Sequence, residues 1–147
     1  MTCALAGALS SCKPTVDHSA ALKAHEWQLK EMMTADGNVL LPSRVPTIVF
    51  TDSSRVGGFS GCNRFMGKYE LKGEKLMLSK LATTHMMCME NMDFERKFQK
   101  ALSEVKRLAL QPGELKLLDE SGTQTLVFIP GKGTATTDEG ENRPEAK

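Results

Sequence analysis

Gly57–Tyr69 reads GGFSGCNRFMGKY, and the parsing of this stretch decides the fold. Gly57, Gly58, Gly61 and Asn63 crowd around Cys62, a composition suited to a tight turn that a Cβ would obstruct. Hydrophobic residues resume at Phe65 and Tyr69. The expectation is a strand ending near Ser60, a turn through Gly61 to Arg64, and a second strand from Phe65 to Leu71. This is a β-hairpin with a cysteine at its tip.

Working outward, His25–Met33 alternates, with Trp27, Leu29 and Met33 on one side and Glu26, Gln28 and Lys30 on the other, which predicts a half-buried strand. ADGN at 35–38 marks a turn, Pro42 and Pro46 bound an irregular connection, and TIVFT at 47–51 has strand character. After the turn at Gly73, Lys75–Leu81 alternates again, with Leu76, Leu78 and Leu81 facing inward. From Asn91 the period changes: Phe94, Phe98, Leu102 and Val105 recur at helical spacing, while Glu95, Arg96, Lys97 and Lys100 fill the opposite face. Arg107–Leu110, Leu115–Leu118 and Thr125–Ile129, separated by PG and DESG turns, complete a three-strand meander. One amphipathic helix cannot bury its own stripe, so it must pack on the sheet. The fold class read from this order is α+β, an antiparallel sheet with one main helix.

At 147 residues the chain makes one domain, and 40% hydrophobic with 25% charged residues is ordinary for a globular one. A net charge of +1 offers no electrostatic case for nucleic acid as partner. Aromatic residues at 5% leave few stacking platforms for sugars or bases, and nine methionines serve as core gap-fillers.

The ends read differently from the middle. Leu9-Ser10-Ser11-Cys12 resembles a bacterial lipobox, in which cleavage exposes Cys12 for lipidation and so tethers the protein to a membrane. The preceding apolar run is shorter than the roughly 7–15 residues of a signal core and no Lys or Arg comes before it. Residues 1–12 are therefore read as a truncated lipoprotein-type signal, and residues 13–24 as a linker without sustained periodicity. Residues 25–130 form the domain. Residues 131–147 hold nothing apolar larger than Ala and are expected to be disordered.

Taken together, Trp27-x-Leu29, the Ser60-Gly61-Cys62-Asn63-Arg64-Phe65 turn followed by Gly67 and Tyr69, Thr84-x-Met86-Met87-Cys88, Leu115-x-Leu117 and Leu126-x-Phe128 resemble the META domain family, which includes HslJ-like bacterial heat-shock lipoproteins. The resemblance covers about residues 26–130. It implies a sheet curled into a partial barrel with the helix packed on it, and an exported or lipoprotein context in the cell envelope. It implies no agreed catalytic residues and no cofactor. Members are linked to heat shock, motility and virulence-associated secretion.

Cys62 and Cys88 flank turns at the sheet edge; in an oxidising periplasm they would pair, and the rival reading is two buried free thiols. His85-Met86-Met87-Cys88-Met89, followed by Met92, brings together the thioether, thiolate and imidazole ligands that Cu(I) prefers, although methionines beside a helix are ordinarily core. Gly58-Phe59-Ser60-Gly61-Cys62 lacks the final Gly and the following helix of a nucleophile elbow. A Cys dyad with His25 or His85 has no orienting third group. The favoured function is thus a non-enzymatic, lipid-anchored envelope module, on the outer membrane facing the periplasm or the cell surface, that binds a partner protein or confers stability. The alternatives are a pilot-like carrier of lipid or another apolar ligand in a half-open barrel, and a Cu(I) or thiol-redox protein using Met86, Cys88 and Met89.

Overall fold

The computed structural model describes residues 17–134; Cys3, Cys12, residues 13–16 of the expected linker and residues 135–147 of the expected tail lie outside them. The chain runs α1 (Ser19–Lys23), β1 (His25–Met33), β2 (Val39–Leu40), β3 (Thr47–Phe50), β4 (Arg55–Phe59), β5 (Arg64–Lys72), β6 (Lys75–Thr83), α2 (Met92–Ser103), β7 (Arg107–Gln111), β8 (Glu114–Leu118) and β9 (Thr125–Thr134). All strand pairings are antiparallel. The sheet order is β2-β1-β3-β4-β5-β6-β7-β8-β9, and β9 also pairs with β1, so the sheet curls into a ring. This is the α+β partial barrel expected from the sequence.

The ring is thinnest between β6 and β7, where only Lys75 pairs with Arg107. The chain between those strands is α2, which fills the gap. Its Phe98 is fully buried and meets Phe65 of β5 and Phe128 of β9, with ring centroids 6.1 and 6.5 Å away. Leu102 follows one turn later, also buried. Inside, Ile48, Phe50, Leu76, Leu115, Leu126 and Phe128 join them in one continuous core. Tyr69 packs edge-on against Phe50 and donates its hydroxyl to the Thr51 carbonyl at 2.8 Å. Burial raises the Tyr69 pKa, which keeps the phenol a donor.

Three expectations change. The 13–24 linker reading ends too late: Ser19–Lys23 is helical, with Leu22 fully buried. The Trp27 indole N–H donates to the Leu22 carbonyl at 2.9 Å, and Lys23 pairs with Asp52. One apolar residue among small and polar ones shows no periodicity, so α1 is held by tertiary contacts. On β1, Met32 rather than Met33 is buried, because a bulge between Leu29 and Glu31 shifts the alternation by one residue. The disordered-tail reading begins too early, since β9 continues to Thr134 opposite His25. Gly131 lies so close to β1 that a Cβ there would sit 3.0 Å from the Glu26 carbonyl oxygen.

The barrel has two poles, set by the two ends of β4. At the lower pole, α1 joins the β3–β4 turn through Lys23–Asp52, and His18 and Ala21 lie beside the β7–β8 turn at Pro112-Gly113. The upper pole carries the Ser60–Asn63 turn, the 84–91 loop and the 41–46 loop. Among the described residues no helix is long and apolar enough to cross a membrane.

If α1 is part of the barrel, Leu22→Ala should cost about 3 kcal/mol in urea unfolding, as expected for a buried leucine. A loss below about 0.5 kcal/mol, the usual range for surface sites, would return this segment to a linker.

Candidate functional site

The upper pole is built on glycines for two separate reasons. Gly58 is extended, but β3 runs so close that a Cβ would fall 2.0 Å from the Thr47 carbonyl oxygen. Gly61 has φ +103°, a conformation that side chains on Cβ disfavour, although a Cβ there would meet only ordinary contacts, the Arg44 carbonyl oxygen at 3.6 Å and the Phe94 ring at 4.0 Å. The turn closes with the Ser60 N–H donating to the Asn63 carbonyl at 2.8 Å.

Beneath the turn lies Glu95 of α2, only 5% exposed. Its Oε1 accepts from the Asn63 backbone N–H at 2.8 Å and from the Ser60 hydroxyl, and its Oε2 accepts from Asn63 Nδ2 at 2.9 Å. A carboxyl group taken from water needs such donors, since leaving it unpaired costs several kcal/mol. The sequence reading placed Glu95 on the solvent face, and the structure corrects this. Glu95, Phe98 and Leu102 are spaced i, i+3, i+7, which puts Glu95 in line with the apolar stripe. That spacing was the available signal.

Asn63 then links the turn to the 84–88 segment. Its Oδ1 accepts from the Thr84 hydroxyl at 3.0 Å and the Met86 N–H at 2.5 Å, while its Nδ2 donates to the Met86 carbonyl at 3.1 Å. Thr84 Oγ1 also accepts from the Arg64 N–H at 3.1 Å. A covalent link completes the arrangement: Cys62 and Cys88, 26 positions apart in sequence, form a disulfide with Cα atoms 5.9 Å apart. Closing a loop of that length in the unfolded chain is worth about 3.5 kcal/mol in the chain-entropy treatment. Neither sulfur is a free thiol, so the dyads with His25 or His85 and the thiolate ligand of the Cys88 metal reading are not present in this state.

Gly61, Cys62, Asn63, Thr84, Met86 and Cys88 therefore converge at one pole. The other residues singled out by the motif sit elsewhere. Trp27 is bonded to α1 and stands edge-on to His25 at 5.4 Å. Phe65 is core. Gly67 faces the β6 bulge, where a Cβ would meet the Ser79 carbonyl oxygen at 2.7 Å.

Within this braced frame the methionine loop is open to solvent. Met86, Met87 and Met89 are 61%, 77% and 83% exposed, which overturns their assignment to the core. The backbone bonds to Asn63 and the disulfide fix the loop while leaving these side chains outward. A cleft of about 310 Å³ separates the loop from α2, lined among others by His85, Met86, Met87, Met92, Glu95 and Arg96. On the other flank, the Ser43 hydroxyl bonds Asn91, whose N–H donates to the Cys88 carbonyl at 3.0 Å. This sets exposed Leu41 and Val45 beside the same pole.

Removing the acceptor beneath the turn tests its role. Glu95→Ala leaves the Asn63 backbone N–H without an acceptor and reduces the Asn63 amide and the Ser60 hydroxyl to the Met86 and Asn63 carbonyls, and should cost about 2 kcal/mol in the oxidised protein by urea unfolding. Wild-type stability in that variant would show that the turn does not rely on Glu95.

Comparison with known proteins agrees with this architecture. No curated protein matches the chain. Among solved structures, an NMR structure of a protein from Burkholderia xenovorans superposes with a TM-score of 0.67 at 30% identity, covering 79% of this chain and 88% of the other. A second NMR structure gives a TM-score of 0.57 at 27% identity, covering 75% and 92%. A DUF4847 family protein from Bacteroides vulgatus shares the fold with a TM-score of 0.60 at 12% identity, covering 76% and 96%. The family model for the META domain matches residues 20–132, the whole span from α1 into β9. The chain belongs to the META domain family.

Proposed function

We propose that the chain is a cell-envelope module, tethered through a lipid on Cys12 and facing the periplasm, that binds an envelope protein at its upper pole and carries out no chemistry itself. The observation that carries this reading is the Cys62–Cys88 disulfide, a bond that persists in oxidising compartments and is rare in the cytosol. The lipobox-like Leu9–Cys12 supports the same compartment.

Geometry supports the choice of surface. The described chain enters at the lower pole through α1, and five residue steps from Cys12 to Asp17 reach at most about 17 Å. A lipid on Cys12 would hold the lower pole near the membrane and turn Leu41, Val45 and Met89 away from it. Exposed apolar side chains on a rigid frame fit a protein surface, and methionine adapts to varied apolar partners. An apolar ligand inside the barrel is disfavoured, because Phe98 and Leu102 fill the gap beside β6 and Phe50, Leu76 and Phe128 occupy the interior.

Intact mass of natively expressed protein, measured without reductant, should show a chain starting at Cys12, heavier by its acyl groups and lighter by the two hydrogens of one disulfide. A soluble cytosolic product retaining Cys3 with four free thiols would overturn the reading. Photocrosslinkers at Val45 or Met89 should trap one discrete species that Leu41→Asp abolishes, while Lys72 at the lower pole should trap none. Equal trapping at Lys72 would remove the upper pole as the docking surface.

A further inference from the structure

Partner docking does not account for one feature of the upper pole: Met87 and Met92 line a cleft together with the His85 imidazole. We propose that this cleft binds a soft monovalent cation, Cu(I) or Ag(I), through His85 and the thioethers of Met87 and Met92. The proposal goes beyond the tethered-module reading and stands or falls separately from it.

Ligand chemistry selects the ion. Among the described residues no three His, Cys, Asp or Glu side chains gather in the manner that Zn²⁺ or Ca²⁺ requires. The cleft instead offers thioether sulfur and an imidazole, a set that favours Cu(I) over harder divalent ions. A sulfur-only account through Cys88 is closed by the disulfide, so the imidazole of His85 takes the place of the thiolate.

The frame suits such a site. The Met86 backbone is held from both sides by Asn63, and Cys88 is covalently fixed, so residues 85–87 project from a braced segment. Met92 opens α2 and lines the same cleft. Met87 is exposed and its unbranched side chain has the rotational freedom to reorient within the cleft. Arg96 and the Glu95 carboxyl group also line the cleft, one charge of each sign. Thioethers and a neutral imidazole carry no charge of their own, so a monovalent ion is the better match to this balance.

The test uses the oxidised full chain with Cys3→Ser and Cys12→Ser, so that no free thiol competes, labelled with ¹³C at methionine methyl groups. Ag(I), a redox-inert probe, is titrated first, and Cu(I) under ascorbate second. The expected result is saturation at one equivalent, with shifts at Met87 and Met92 and none at Met66 or Met77, which are exposed on the barrel wall. His85→Ala, Met87→Leu and Met92→Leu should each weaken binding about tenfold or more, a loss typical of damaged metal sites. Met89→Leu should leave it unchanged. Methionine to leucine is nearly volume-conserving, and unfolding midpoints check that each variant is folded. Shifts spread evenly over all exposed methionines would mean adventitious thioether binding and overturn the proposal, as would unaltered affinity in Met92→Leu or no response at one equivalent.

Discussion

The buried Glu95 carboxyl group organises the upper half of this molecule. It lies where three donors of the Ser60–Asn63 turn converge, and it is the one charged acceptor that all three share. Because Glu95 belongs to α2 and the turn belongs to the β4–β5 hairpin, one polar cluster fixes how the helix sits on the sheet. Dispersion and burial hold Phe98 and Leu102 inside the barrel, but apolar contact alone is not directional. The hydrogen bonds to Glu95 supply the direction. Asn63 carries the same constraint outward to Thr84 and Met86, and the disulfide fastens the segment that follows.

The result is a division between a solid interior and a sculpted end. Aromatic and aliphatic side chains pack the interior of the ring, and both poles are covered by helix or loop. What distinguishes the upper pole is that apolar side chains are kept outside on a rigid support, where their exposure has a standing cost. Leu41 and Val45 on one flank and Met86, Met87 and Met89 on the other share that cost, and Asn91 joins the two flanks through Ser43 and the Cys88 carbonyl.

Most of the strands could be read from the sequence because alternation and turn chemistry are local signals. The hairpin around Cys62, the meander of β7 to β9 and the helix after Asn91 all follow from residue spacing within a dozen positions. The errors have a common origin in information that is not local. Leu22 is buried because Trp27 and the lower turns surround it. Met32 replaces Met33 because a bulge changes the phase of β1. Glu95 was assigned to solvent by its charge, although its position in the helical repeat pointed inward. The methionine run was assigned to the core by its chemistry, although the loop carrying it is held at the rim. At the candidate site, the residues of the Cys62 turn and of Thr84–Cys88 were legible as two motifs. Their meeting point, and Glu95 as its centre, became visible only with the sheet in place.

The pairing of β1 with β9 brings His25 against Thr134, from opposite ends of the domain. Such a contact cannot form until nearly the whole domain has left the ribosome, and contacts of this range slow folding. Until then the growing sheet has two bare edges, each able to recruit a strand from a neighbouring molecule. A protein assembled this way depends during its own synthesis on being kept apart from its copies.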